Sequence, residues 1–178
     1  MKYLLWTLLF LVPVSAHAQT MVDKQTANTY FANCVQQPPS EQFSKESQNM
    51  MCACTAARMT QFFTMEDMQA MMSTDPTVAR PAYNKMLMHI YAPCMETPAR
   101  EHYTNTCLAN PDSAKFGNPN KICTCLGNNL GEYLRMQGPN LFRNILSYNP
   151  NVTDPMQALY DDPGFQATVQ NRLASCIK

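Results

Sequence analysis

The sequence lacks any cluster of charge of one sign. Its 178 residues include 13 lysines and arginines and 13 aspartates and glutamates, so the formal net charge is zero. The basic residues are scattered singly along the chain, whereas nucleic acids and anionic membrane surfaces are recognised by clustered lysine and arginine. We therefore predict that the partner is neither a nucleic acid nor a membrane surface.

Histidine is scarce, and motifs for catalysis are missing. Of the three histidines, His17 lies in a predicted leader, which leaves His89 and His102. The chain shows no Ser-His-Asp order, no H-E-x-x-H zinc motif and no glycine-rich phosphate loop. Two adjacent pairs of acids, Glu66-Asp67 and Asp161-Asp162, are explained as helix-starting or solvated residues. We predict a protein that is not an enzyme and has no cofactor.

The chain also lacks the sustained alternation of apolar and polar residues that a half-buried strand needs. Apolar residues recur instead at helical spacing. One such stripe consists of Ala27, Tyr30, Phe31, Cys34 and Val35, and another of Phe165, Val169, Leu173 and Cys176. The pattern predicts an all-α fold.

Capping signals predict where several helices begin. The predicted starts are Ser44, the capping-box sequence Thr64-Met65-Glu66-Asp67, and the cap-proline pairs Asp75-Pro76 and Thr97-Pro98. The helix that follows Ser44 is expected to reach Phe63. Pro81 is expected to break or restart a helix that then runs to Tyr91, before Pro93.

The first 18 residues have the features of a signal peptide. Lys2 precedes a short apolar run, and Ala16-His17-Ala18 fits the cleavage pattern, which predicts cleavage after Ala18. A membrane anchor would need about 20 apolar residues, and Pro13 and Ser15 interrupt this run. The leader is of bacterial type and predicts a periplasmic or secreted protein with no membrane span after cleavage.

Eight cysteines form two matching sets, each with a central C-x-C. The sets are Cys34, Cys52, Cys54 and Cys94, followed by Cys107, Cys123, Cys125 and Cys176. In an exported chain, an even number of cysteines at repeated spacing is typical of a disulfide framework. Residues i and i+2 of a helix lie about 200° apart around its axis, so the two cysteines of a C-x-C need different partners.

The pairing within each set has two solutions. Cys34 bonds either Cys52 or Cys54, and Cys94 takes the other; the same choice holds in the second set. The first cysteine of each C-x-C lies on an apolar stripe, and the second has more polar neighbours. This asymmetry predicts one buried and one more accessible bridge in each set.

The matching sets predict a tandem duplication of a small, disulfide-stapled unit of three or four helices. The first repeat would span residues 19–96 and the second residues 97–178. Tyr30 and Tyr103 both lie four residues before a cysteine, and Pro38 and Pro111 lie four residues after it. The second repeat carries about eight extra residues, near Thr153 to Pro163, which could carry a function of its own.

Methionine is concentrated in the first repeat, where ten of the 14 lie between Met50 and Met95. Thioether sulfur is a soft ligand suited to copper(I). The copper candidates are Met65, Met68, Met72, Met86, Met88 and His89. Where the first repeat has Met68, Met71 and Met72, the second has Phe142, Ile145 and Leu146, which favours methionine as a core filler over a metal ligand. A third interpretation is an adaptable surface for a partner.

These observations lead to one functional prediction and one alternative. The prediction is an exported, non-catalytic helical binding module stabilised by four disulfides, whose partner is another exported or envelope protein. The alternative is a periplasmic protein that handles copper(I) or thiols through the methionine-rich first repeat and the C-x-C pairs.

Overall fold

The computed structural model describes residues 19–38 and 43–177. The predicted signal peptide and its cleavage site after Ala18 lie outside the described residues. The helices are α1 (Lys24–Gln36), α2 (Lys45–Phe62), α3 (Met65–Met71), α4 (Pro76–Met86), α5 (Ala92–Cys94), α6 (Glu96–Ala109), α7 (Pro119–Tyr148), α8 (Pro155–Asp161) and α9 (Pro163–Ile177). A π-helical turn, Leu87–Tyr91, precedes α5, and a 3₁₀ segment, Pro111–Phe116, precedes α7.

The all-α prediction is confirmed for the described part of the chain. No strand occurs there, and the β-type pairing that is present is an isolated antiparallel bridge between Met21 and Thr64. None of the described helices combines the length and hydrophobicity needed to cross a membrane.

Three predicted caps are confirmed. The Ser44 side chain accepts a hydrogen bond from the Ser47 amide. Thr64 and Asp67 form both bonds of a capping box at the start of α3. Asp75 caps α4, whose first residue is Pro76. These short polar side chains satisfy amides that lack a helical partner, which is why the local sequence alone locates them.

The predictions that rested on other prolines are wrong. Pro81 lies inside α4 without ending it; Thr77, whose carbonyl loses its helical donor there, is exposed. The helix predicted to end at Tyr91 continues through a π-helical turn, in which the Ala92 amide bonds to the Leu87 carbonyl. This turn immediately precedes Pro93, which has no amide hydrogen to donate.

The predicted cap at Thr97-Pro98 is also wrong. Helix α6 begins earlier, at Glu96, and its cap residue Met95 makes no side-chain capping bond. The Met95 amide instead bonds to the carbonyls of Tyr91 and Ala92, so α6 follows α5 almost without interruption. Pro98 falls in the first turn of α6, where a missing amide hydrogen breaks no helical bond.

The disulfide prediction is confirmed, and the structure selects the same pairing order in both halves. The four bridges are Cys34–Cys52, Cys54–Cys94, Cys107–Cys123 and Cys125–Cys176. The first cysteine of each C-x-C therefore bonds the preceding helix, and the second bonds a segment that follows. Common ancestry of the halves by duplication stays a prediction, as does the division at residues 96 and 97.

The expected contrast between bridges holds only in the second half. Cys52 and Cys123 are fully buried, and their C-x-C partners are partly exposed. In the first half, however, the partly exposed Cys54 bonds Cys94, which is 3% exposed. Each bridge there combines one buried and one partly exposed cysteine, because α5 lies between the two halves.

Two apolar clusters form the interior. The N-terminal core contains Val22, Ala27, Ala56, Met59, Phe63, Ala82, Met86 and Ile90. The C-terminal core is built mainly from residues 99–165, with α7 at its centre, and it also contains Leu87, Ala92 and Met95. Side chains from the first predicted repeat therefore complete the core of the second.

A carboxylate on α6 joins the two halves at the start of α2. Glu101 accepts hydrogen bonds from the Ser44 amide and hydroxyl, each 2.8 Å long, and from the Ser47 hydroxyl. Burial raises the pKa of this carboxyl, but the hydrogen bonds from Ser47 and Ser44 lower it by more, so the pKa lies below 4.5. The negative charge also faces the positive end of the α2 dipole.

We expect Glu101 to make folding stability sensitive to acid. A carboxyl whose pKa is lowered by folding stabilises the protein above its unfolded pKa of about 4.5, and this contribution is lost as pH falls through the lowered value. Urea midpoints measured between pH 7 and pH 3 should fall less steeply for Glu101→Gln than for wild type. The exposed Glu132 on α7 offers the control Glu132→Gln, and equal slopes for the two variants would contradict the expectation.

Candidate functional site

The copper candidates do not share one location. Met65, Met68 and Met86 pack in or against the N-terminal core. Met88 packs against the C-terminal core, and Met72 is 75% exposed. Core packing therefore accounts for most of them, as the second repeat suggested. The copper alternative stays a prediction.

His89 lies in a cationic setting. Its ring stacks on Phe62 with 6.5 Å between centroids, and its carbonyl accepts a 2.7 Å hydrogen bond from Arg58 Nε. Burial lowers the pKa of His89, and the charges of Arg143, Lys85 and Arg58 lower it further. Among the described residues, no group of three or more His, Cys, Asp or Glu side chains could hold a metal ion.

A cleft of about 480 Å³ lies where the two predicted repeats meet. One wall comes from the end of α3 and the exposed side of α4, including Met71, Ala79 and Arg80. The other wall is the loop at residues 151–153, between α7 and α8. This loop opens the segment in which the second repeat is longer than the first.

Two hydrogen bonds from α4 fix the loop against it. Arg80 Nη1 donates to the Pro150 carbonyl over 2.5 Å, and the Tyr83 hydroxyl donates to the Thr153 carbonyl over 3.5 Å. Burial raises the pKa of Tyr83, and electrostatic interactions with Tyr91 and Asp154 raise it further. The hydroxyl therefore stays protonated at neutral pH and remains a donor.

The lining of the cleft is suited to binding. Arg80 makes no ion pair with any described residue, so N–H groups of its guanidinium remain available to a ligand. Ser73 and Thr74 add hydroxyls, while Met71, Pro76 and Val152 add apolar surface. None of the described residues that line the cleft carries a carboxylate, an imidazole or a thiol.

The rest of the extra segment is structural. Leu159 is fully buried, and the buried Asp162 caps α9 by accepting a 2.6 Å hydrogen bond from the Phe165 amide. Asp162 also accepts a 2.5 Å bond from the Tyr148 hydroxyl. Sequence reasoning identified the extra segment but missed Arg80, because only the folded chain brings α4 beside residues 151–153.

Comparisons with protein-family models, curated proteins and solved structures find no match to this chain. The functional argument therefore depends on the geometry described above.

Proposed function

We propose that this chain is an exported, non-catalytic binding module, periplasmic or secreted, whose ligand site is the cleft between α4 and residues 151–153. Four disulfides and the absence of a free cysteine indicate an oxidising compartment. The bridges support this proposal because they stabilise a small helical protein outside the cytoplasm.

The observation that carries the proposal is the Arg80 guanidinium, which makes no ion pair with any described residue and lies beside apolar surface where the two predicted repeats meet. Arginine recognises carboxylates through parallel N–H bonds, and Met71 offers an adaptable apolar contact. The matching ligand is a segment of another exported or envelope protein that presents an acidic side chain or terminal carboxylate next to an apolar one. Clefts between structural units are frequent sites of such binding.

Photo-crosslinking in the exporting cell tests this proposal. A benzophenone amino acid at Thr74, which is exposed in the cleft, should capture a defined partner. The same probe at exposed Asn128 on α7 should not. Arg80→Gln should reduce the Thr74 adduct about tenfold, as expected for the loss of a charge-assisted hydrogen bond.

Two further variants separate binding from folding. Ala79→Leu, which partly fills the cleft, should also reduce the adduct, and Arg143→Gln on α7 should leave it unchanged. Thermal midpoints of all variants identify any that fail to fold. Equal adducts from Thr74 and Asn128, or an Arg80→Gln variant that folds and crosslinks like wild type, would refute the proposed site.

A further inference from the structure

The Cys125–Cys176 bridge differs from the other three in exposure. Both of its cysteines are partly exposed. Each of the other bridges contains one cysteine that is at most 3% exposed, namely Cys52, Cys94 or Cys123. Because thiol–disulfide exchange requires an incoming sulfur to reach the bridge, Cys125–Cys176 is the most open to attack.

An amide side chain is directed at this bridge. Asn129 Nδ2 donates to Cys125 Sγ over 3.5 Å and to Cys176 Sγ over 3.4 Å. Of the hydrogen bonds found among the described residues, only these reach a sulfur. The matching position in the first half, four residues after its C-x-C, is Arg58, and its Nε donates instead to the His89 carbonyl.

A cleft of about 300 Å³ lies beside Asn129, and one of the side chains that line it, Arg172, is positively charged. Arg172 lines this cleft together with Asn129, Glu132 and Tyr133, and its guanidinium lies 5.9 Å from the centre of the Tyr133 ring. Arg172 is one helical turn before Cys176, so both lie on the same side of α9. It makes no ion pair with any described residue, whereas Glu132 faces Arg135 at 3.6 Å.

We propose that Cys125–Cys176 is a thiol–disulfide exchange site, with Asn129 stabilising the departing thiolate, and that its co-reactant is an exported dithiol. This activity is independent of the cleft beside α4. A hydrogen-bond donor stabilises a thiolate more than it stabilises a disulfide sulfur, so it assists the leaving group. Asn129 remains one turn from Cys125 on α7 after the bridge opens, which identifies Cys125 as the leaving group.

In the first step, a thiolate of the dithiol attacks Cys176 Sγ, the bond between the two sulfurs breaks, and Cys125 departs as a thiolate. The second thiolate of the dithiol then attacks its partner sulfur in the mixed disulfide, and Cys176 is released. The bridge gains two electrons, the dithiol becomes a disulfide, and its two protons end on Cys125 and Cys176. The reverse sequence restores the bridge.

The packing of α9 allows this opening without loss of the core. Phe165, at the beginning of α9, is the only fully buried side chain among residues 163–177. The turns after it carry Val169 and Leu173, which are only partly buried, and then reach Cys176. Reduction should therefore loosen the last turns of α9, where Val169 and Leu173 keep their contacts with the C-terminal core, while Phe165 and the Asp162 cap hold its first turn in place.

Kinetic trapping of reduced cysteines tests the proposal. The oxidised full-length chain is treated with limiting dithiothreitol, quenched with N-ethylmaleimide and mapped by peptide mass spectrometry. Cys125 and Cys176 should be labelled at least about tenfold faster than any other cysteine. Asn129→Leu should slow their labelling about tenfold, the effect of one hydrogen bond to a charged group, whereas Asn128→Leu should leave it unchanged.

Misfolding of a variant cannot imitate this result. A partly unfolded chain would expose all four bridges and react faster, while the proposal requires slower reaction at one bridge. Asn129→Asp provides a second, isosteric test, because a carboxylate beside the sulfur should also slow departure of the thiolate. Earlier labelling of another bridge, or wild-type rates in both Asn129 variants, would overturn the proposal.

Discussion

Replacing Gly127 with alanine is expected to lower the free energy of unfolding by about 3 kcal/mol. Helices α6 and α7 touch at this glycine. A Cβ atom there would lie 2.0 Å from Thr104 Oγ1 and 2.5 Å from the Arg100 carbonyl oxygen. The threonine side chain can rotate, but the carbonyl belongs to α6, so the two helices would have to separate. The usual gain of about 1 kcal/mol from replacing glycine in a helix is smaller than this cost.

Urea unfolding with the disulfides intact measures this effect. The exposed neighbour Asn128 provides the control, and Asn128→Ala should change the stability by less than about 0.5 kcal/mol. Adding Thr104→Ala to Gly127→Ala should recover only part of the loss, because the contact with the Arg100 carbonyl remains. Equal stability of the Gly127→Ala and Asn128→Ala variants would show that the two helices are not in close contact at this point.

The sequence predicted those features of the fold that depend on neighbours along the chain. Asp67 and Thr64 are three residues apart, so their capping box could be recognised without knowing the rest of the structure. The divergence of the two cysteines in a C-x-C also followed from helix geometry alone. In both cases the physical interaction acts within about one helical turn.

Several prolines other than Pro76 were poorly predicted because their effect depends on tertiary packing. Pro93 lies in a buried segment that packs against α7, and the chain accommodates it with a π-helical turn instead of ending the helix. Pro139 lies inside α7, which runs unbroken for 30 residues. In the first half the chain instead divides into α2 and α3 at Phe63 and Thr64. There the Val22 amide donates to the Phe63 carbonyl, and the Thr20 carbonyl accepts from the Met65 amide.

The candidate sites escaped prediction for a related reason. Both involve contacts between residues that are far apart in sequence: Arg80 reaches Pro150, and Asn129 reaches Cys176. Neither Arg80 nor Asn129 belongs to a recognisable motif. The choice between the two disulfide pairings was open as well, because both cysteines of a C-x-C are free to bond either outer cysteine until the helices have packed.

The Cys54–Cys94 bridge joins α2 to α5, the segment that packs against α7, and its removal should have the second large effect. The residues are 40 apart in sequence, so chain entropy assigns the bridge about 4 kcal/mol. The double variant Cys54→Ala/Cys94→Ala is expected to lose stability of that order in urea. For Cys34→Ala/Cys52→Ala, with a separation of 18 residues, the expected loss is about 3 kcal/mol.

Hydrogen exchange should show which helices are destabilised when Cys54–Cys94 is removed. Helix α5 should stay with the second half when Cys54–Cys94 is lost, because Ala92 is fully buried and contacts α7 at Gly138. Helix α2 loses its disulfide to α5 and retains non-covalent contacts, among them those of Glu101 with Ser44 and Ser47 and that of Arg58 with the His89 carbonyl. Hydrogen exchange should therefore rise in α1 and α2 while α6 and α7 remain protected. A uniform rise in all four helices would mean that the halves unfold together and that this bridge stabilises the chain as one cooperative unit.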